Sequence, residues 1–172
     1  MLSKTIKITP EEIKFGRQEL RYQWLPFDDK VTGGRSTSIV EQHENHTTYS
    51  GEIRHINNSA WSCLRSNKVI QDLSKYTSIE IKLKTDGRPY AFEMEYNEGW
   101  QHEKIGFLIR TLPNEWTTVH FPIADFQHSI FGEIQDKPVD LSVLDNILRY
   151  NFYVAERITG PFRLEIEYIK FF

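Results

Sequence analysis

The feature that most restricts this chain is a run of strict alternation: from Ser78 to Lys84 the apolar residues Ile79, Ile81 and Leu83 take turns with Glu80, Lys82 and Lys84. A period of two puts the apolar side chains on one face of an extended strand and the charges on the other, whereas a helix would scatter both around its surface. After the turn residues Thr85-Asp86-Gly87-Arg88 the same period returns, with Tyr90, Phe92, Met94 and Tyr96 set against Ala91, Glu93 and Glu95. The two runs predict an antiparallel hairpin. Ile105 to Arg110 and Trp116 to Phe121 predict a second hairpin around Leu112-Pro113-Asn114, and Asn151 to Ala155 and Phe162 to Lys170 a third around Ile158-Thr159-Gly160-Pro161. In the last run Phe162, Leu164, Ile166 and Tyr168 are expected to share one face. Earlier strands are expected over Thr48 to Ile56 and Ala60 to Ser66.

The gaps between these roughly eight strands are too short for the helical crossovers of a parallel sheet, so the expected class is all-β, a closed antiparallel sandwich. Two short helical pieces are added to it. Thr9-Pro10-Glu11-Glu12 reads as a capping box, giving a short N-terminal helix ended by Gly16, and Asp140 reads as the cap of one turn through Leu144. A chain of 172 residues suffices for one domain that buries roughly 70% of its unfolded surface, and residues 1–172 are expected to form just one. The 11 Phe, 8 Tyr and 4 Trp suit a sheet core built on large rings.

Charge and cysteine usage exclude several classes of function. The 21 Lys and Arg are dispersed among 24 Asp and Glu, with no basic stripe for a phosphate backbone, so nucleic acid is not an expected partner. The single cysteine, Cys63, rules out an intrachain disulfide and a thiolate zinc cluster. No apolar run reaches the roughly 20 residues of a membrane span, and the start MLSKTIKITPEE has neither a signal-peptide core nor a transit-peptide pattern. The expectation is a cytoplasmic chain as given, mitochondrial or plastid only if a presequence has been removed.

Seven stretches, in order, resemble the CIA30 family of complex I intermediate-associated proteins. They are Asp28-Asp29 with Gly33-Gly34 and Ser36-Thr37-Ser38, Tyr49 to Ile53, Trp61 to Arg65, Asp72 to Tyr76, Thr85 to Tyr90, Trp116 to Phe126, and Gly160 to Ile166. Two positions depart from the family pattern: Thr85 stands where the turn usually has glycine, and Asn58-Ser59-Ala60 where many relatives have a glycine pair. The resemblance spans roughly residues 24 to 170 and implies a galactose-binding-like jelly roll and an assembly-factor or chaperone role, without naming a ligand.

Several residues are candidates for a site, each with a plainer reading beside it. If Leu64 faces the core, Trp61 and Arg65 lie together on the outer face and could grip a sugar or a partner; if Trp61 faces the core, Arg65 needs a buried carboxylate. Glu93 and Glu95 share one strand face, as do Glu165 and Glu167, so neighbouring strands could pair carboxylates as glycosidases do, or form a salt-linked solvated face. The loop Asn97 to His102 could present Trp100 and His102 to a ligand, or lay Trp100 over the end of the sandwich. Gly33-Gly34 reads as a turn, and Asp28 and Asp29 as turn acids or as carboxylates for calcium, the one cofactor left open. No serine or cysteine nucleophile can be matched to a base.

The functional expectation is a non-enzymatic binding or assembly module that recognises a protein partner, or a small ligand, through a sheet face and edge loops. Trp61, Arg65, Trp100, His102 and Glu165 are its expected ligand-binding residues. A carbohydrate-binding module is the first alternative. A small acid/base lyase or cyclase using Glu93, Glu95 and His102 is the second.

Overall fold

The computed structural model describes residues 6–172. In chain order its strands are β1 (Glu12–Lys14), β2 (Trp24–Asp28), β3 (Thr37–Gln42), β4 (Thr47–Ile53), β5 (Ser62–Ser66), β6 (Ser78–Thr85), β7 (Tyr90–Glu95), β8 (Lys104–Ile109), β9 (Trp116–Pro122), β10 (Gln127–Ile130), β11 (Glu133–Pro138), β12 (Arg149–Val154) and β13 (Gly160–Phe171). They build two antiparallel sheets. A six-stranded sheet runs β3-β4-β13-β6-β9 with β1 added alongside β13, and a seven-stranded sheet runs β11-β10-β8-β7-β12-β5-β2. The all-β sandwich expected from the alternation is therefore present, and the apolar face of β6 is fully buried in it at Ile79, Ile81 and Leu83.

The connections differ from the expected ones. None of the three predicted hairpins pairs its own strands: β6 pairs with β13 and β9, while β7 pairs with β12 and β8. The turns after β6, β8 and β12 each carry the chain from one sheet to the other. Turn residues reverse the chain, but they do not decide whether the next strand lies beside the last or across the core from it. The Thr85 to Arg88 turn is fastened to the rest of the sandwich by Asp86. One of its carboxylate oxygens accepts from the Arg163 amide at 2.9 Å and the other from Tyr90 Oη and the Arg88 amide at 3.1 Å, while Gly87 sits at φ +93.

The N-terminal helix is also absent. Residues Glu12 to Lys14 instead form β1, with Ile13 opposite Ile169 and completely buried. The alternation of Ile13 and Phe15 with charged neighbours suits an edge strand, and pairing to the long β13 outweighs the capping-box signal. The second helical expectation holds: Asp140 accepts from the Ser142 amide at 2.9 Å and caps a 3-10 turn over Leu141–Asn146. In β13 a register shift between Ile166 and Tyr168 breaks the expected shared face. Tyr168 turns to the half-exposed side, and Ile169 and Phe171 fill the core.

The core lies between the sheets, where Phe92, Tyr150 and Phe152 of the larger sheet meet Leu164, Ile166 and Ile169 of the smaller one. Both faces of β7 are buried. Its second face is what positions the site.

Candidate functional site

Cross-strand register decides which side chains share the outer face of the seven-stranded sheet, because residues directly opposite in an antiparallel pair point the same way. Arg65 is opposite Asn151, Asn151 opposite Glu93, and Arg149 opposite Glu95. Lys104 is opposite Ser129, and Cys63 is opposite Tyr153 on one side and Phe27 on the other. Leu64 is fully buried in the main core, so the first of the two readings for Trp61 and Arg65 applies: both lie on the outer face. Arg65 nonetheless finds a buried carboxylate there.

That carboxylate is Glu95. Arg65 donates to it in bidentate fashion, Nε to Oε1 at 3.1 Å and Nη2 to Oε2 at 2.9 Å. Asn151 Nδ2 donates to Oε1 at 2.9 Å, and Arg149 Nη1 lies 3.5 Å from Oε2. The fork of a guanidinium matches a carboxylate in this way and fixes its orientation. Burial alone lowers the affinity of the Arg65 guanidinium for its proton, but the bond to Glu95 outweighs this and holds it above its ordinary value.

Glu93 is enclosed differently. Its Oε1 accepts from the Ser129 hydroxyl and, at 2.9 Å, from the Gly132 amide. Burial pushes its carboxyl above the usual range, only partly opposed by Lys104 and these hydrogen bonds. Lys104 is 1% exposed, and its ammonium donates to the carbonyls of Trp100 at 2.7 Å and His102 at 3.0 Å, and thereby ties down the loop between β7 and β8.

Aromatic rings cap this polar layer. Trp61 packs against Phe27 (centroids 5.4 Å apart), Tyr153 (5.8 Å) and Phe131 (6.1 Å), and Trp100 packs against Phe131 (5.4 Å) and Phe27 (5.7 Å). Trp61 is only 6% exposed. Phe131 takes a left-handed backbone at φ +50, which is unusual for a bulky residue. Trp100 thus lies over the sheet face and not over the end of the sandwich. Cys63 is buried beneath this cap, and burial followed by the nearby carboxylates holds its thiol well above its ordinary value.

The other expected site residues are elsewhere or act through other atoms. His102 has an exposed side chain and enters the network through its carbonyl alone. Glu165 is on the six-stranded sheet, opposite Lys84 and Thr48, so it cannot form one groove with Arg65 and Glu93. It pairs with Lys84 at 2.6 Å and with Arg163 at 3.4 Å. Burial tends to raise its carboxyl, but these two cations hold it below the usual carboxylate range.

Asp28 and Asp29 are fully engaged with protein donors. Asp29 accepts from the Ser36 amide and hydroxyl at 2.9 Å and the Trp61 amide at 3.2 Å; Asp28 accepts from the Ser38 and Ser62 hydroxyls at 2.6 Å. A side chain at Gly34 would place its Cβ 2.1 Å from Asp29 Cγ, so the glycine is required for this close approach. Among the described residues no group of three acidic, histidine or cysteine side chains is arranged to hold a metal ion.

Asn151, Lys104, Ser129, Phe131, Arg149 and Phe27 did not stand out in the sequence. Asn151 alone had a usable signal, a polar residue in an otherwise aromatic strand.

The residues that resemble a family motif are thus mostly those that knot the scaffold: Asp28, Asp29, Gly34 and Ser36 around one carboxylate pair, and Asp86 at the turn into β7. A family model, Complex I intermediate-associated protein 30 (CIA30), matches residues 13–166. The chain belongs to the CIA30 family. Mouse "Complex I intermediate-associated protein 30, mitochondrial" is 24% identical over 184 residues, covering 92% of this chain and 55% of the relative. The "Probable complex I intermediate-associated protein 30, mitochondrial" of Caenorhabditis elegans is 23% identical, with 92% and 52% covered. The chain spans about half the length of the curated relatives it matches.

Among solved structures, the family 11 carbohydrate-binding module of the cellulosomal cellulase Lic26A-Cel5E of Clostridium thermocellum superposes with a TM-score of 0.60 at 15% identity, covering 96% of this chain and 95% of that one. A second structure of the family 11 module from Clostridium thermocellum, in complex with a β-1,3-1,4-mixed-linked tetrasaccharide, gives 0.57 at 16% identity, with 94% and 96% covered. These likenesses establish the jelly-roll fold of this CIA30 domain. No helix among its described residues is long and apolar enough to cross a membrane.

Proposed function

We propose that this CIA30 domain is a non-enzymatic binding module of the assembly-factor kind that holds a protein partner. The observation that carries the reading is the family match over residues 13–166, to proteins whose name describes association with an intermediate of a larger complex. The condition of the acid/base candidates supports it: Glu95 is spent on Arg65 and Asn151, Glu93 is sealed beneath rings, and the His102 side chain points to solvent. The groove where the two sheet edges β2 and β3 adjoin supports the reading as the surface that would take the partner. There Leu20, Leu25 and Ile39 are 85%, 61% and 58% exposed along one groove with Pro26 and Val40. Adjacent apolar side chains left in water mark an interaction surface more often than isolated ones do.

The test is a tagged chain at native expression level, examined by native electrophoresis and cross-linking. A species well above the 20.4 kDa of the free chain, with the same cross-linked partner in each replicate, is expected; L25E/I39E should dissolve it without changing the melting temperature. A chain that runs free, with no repeatable cross-link, contradicts the reading.

A further inference from the structure

The capped face contains two polar atoms that the protein itself leaves unsatisfied. Glu93 and Asn151 are directly opposite one another on β7 and β12, at 0% and 1% exposure, and Glu93 Oε2 and Asn151 Oδ1 each lack a hydrogen-bond donor. Other groups around them are satisfied: Glu95 has Arg65 and Asn151 Nδ2, Lys104 has two carbonyls, and Glu93 Oε1 has Ser129 and Gly132. Two adjacent acceptors removed from water without a donor are costly, and their pairing on one face marks a place that a donor-bearing molecule can fill.

We propose that the outer face of the seven-stranded sheet is a binding site for a neutral, polyhydroxylated ligand, which donates to Glu93 Oε2 and Asn151 Oδ1 and takes the place of part of the Trp100 and Phe131 cap. The donor requirement follows from the two free acceptors. The neutral charge follows from the surroundings. Arg65, Arg149 and Lys104 face Glu93 and Glu95 there, so a cation meets excess positive charge and an anion meets the carboxylate of Glu93. The need for an apolar face follows from the rings of Phe27, Trp61, Trp100 and Phe131, which offer flat surfaces to the C–H side of a ring-shaped polyol.

Lifting the cap requires few bonds to change. The loop is held from below by Lys104 Nζ at the carbonyls of Trp100 and His102, and the 131–132 turn by Glu93 at the Gly132 amide. Phe131 is already held in a backbone conformation that disfavours a bulky side chain. Lys104 and Glu93, once released, become further polar contacts for the same ligand. The site does not depend on the protein-partner reading, although Leu25, opposite Arg65 on the same sheet face, borders both surfaces.

The intact chain is titrated with neutral oligosaccharides, among them a β-1,3-1,4-linked glucan tetrasaccharide, and with glycerol as the smallest polyol, while tryptophan emission and melting temperature are followed. A saturable change in both is expected with at least one oligosaccharide. E93Q supplies an amide donor where Oε2 stands and N151L removes the second acceptor, and each should weaken binding about tenfold or more, whereas K82A on the other sheet should leave it unchanged. E93Q keeps the acceptor for Ser129 and Gly132, so it distinguishes loss of binding from loss of fold. No saturable response with any of these probes overturns the proposal. So does a response that E93Q and N151L leave intact, or a high-resolution structure showing a fixed water donating to both acceptors beneath an unmoved cap in saturating oligosaccharide.

Discussion

On the outside of the six-stranded sheet Lys82 meets Glu167 at 2.8 Å with both side chains about a third exposed, whereas on the outside of the seven-stranded sheet Arg65 meets Glu95 at 2.9 Å with the carboxylate 2% exposed. Both carboxylates belong to strands in which charged residues alternate with apolar ones. The difference lies in what covers them. Trp116, an aromatic residue of the first face, is 40% exposed and is met by Lys82, Lys84 and the edge of one ring, His46, while the aromatic residues of the second face pack on one another and exclude water. A layer of rings changes a pattern that reads as a solvated surface into a second, polar core, where each charge needs a partner.

The comparison is broken most forcefully at Arg65. R65A leaves the buried Glu95 carboxylate with only Asn151 Nδ2 and the more distant Arg149 guanidinium beside it, and should cost about 3 kcal/mol of stability, read from denaturant unfolding. W100A removes one ring of the cap without touching an ion pair. Trp100 is half-buried, so the loss should be smaller, about 2 kcal/mol by the same measurement.

E93Q sharpens the comparison through pH. The folded-state pKa of Glu93 is raised above its ordinary value of 4.5, so the folded protein binds this proton more tightly than the unfolded chain does. Its contribution to stability is complete below that ordinary value and is lost as pH rises through the raised one. The glutamine does not ionise and can donate to Asn151 Oδ1. E93Q should therefore unfold at a higher temperature than the parent near about pH 8, with the advantage narrowing toward about pH 4. The smallest effect is expected from K82A, where an exposed pair is lost and the melting temperature should not move measurably. If K82A were as damaging as R65A, the two faces would not differ in kind.

Much of the scaffold was legible in residue order. The alternation in β6 marked a strand buried on one side, and Asp140 marked its 3-10 turn, because both signals are local. The helix expected at Thr9 failed because β1 gains its stability from β13, more than 150 residues further on. The three turns were recognised as turns, yet the strands they join belong to different sheets, and pairing partners are set by the whole sandwich. For the site, parity alone placed Trp61 with Arg65 and Glu93 with Glu95. It could not place Glu165 on the opposite sheet, bring Lys104 beneath the Trp100 loop, or set Asn151 between Arg65 and Glu93, since each depends on register between strands distant in sequence.

The claim that the seven-stranded sheet has an enclosed outer face is tested most directly at Cys63, the one cysteine, which lies on that face with no exposure. Its labelling by a small thiol reagent is followed in native buffer, in the parent chain and in W100A. The enclosed face predicts that the parent reacts orders of magnitude more slowly than a free thiol at the same pH and that W100A speeds the reaction. A parent thiol that reacts at the free rate, indifferent to Trp100, would contradict it.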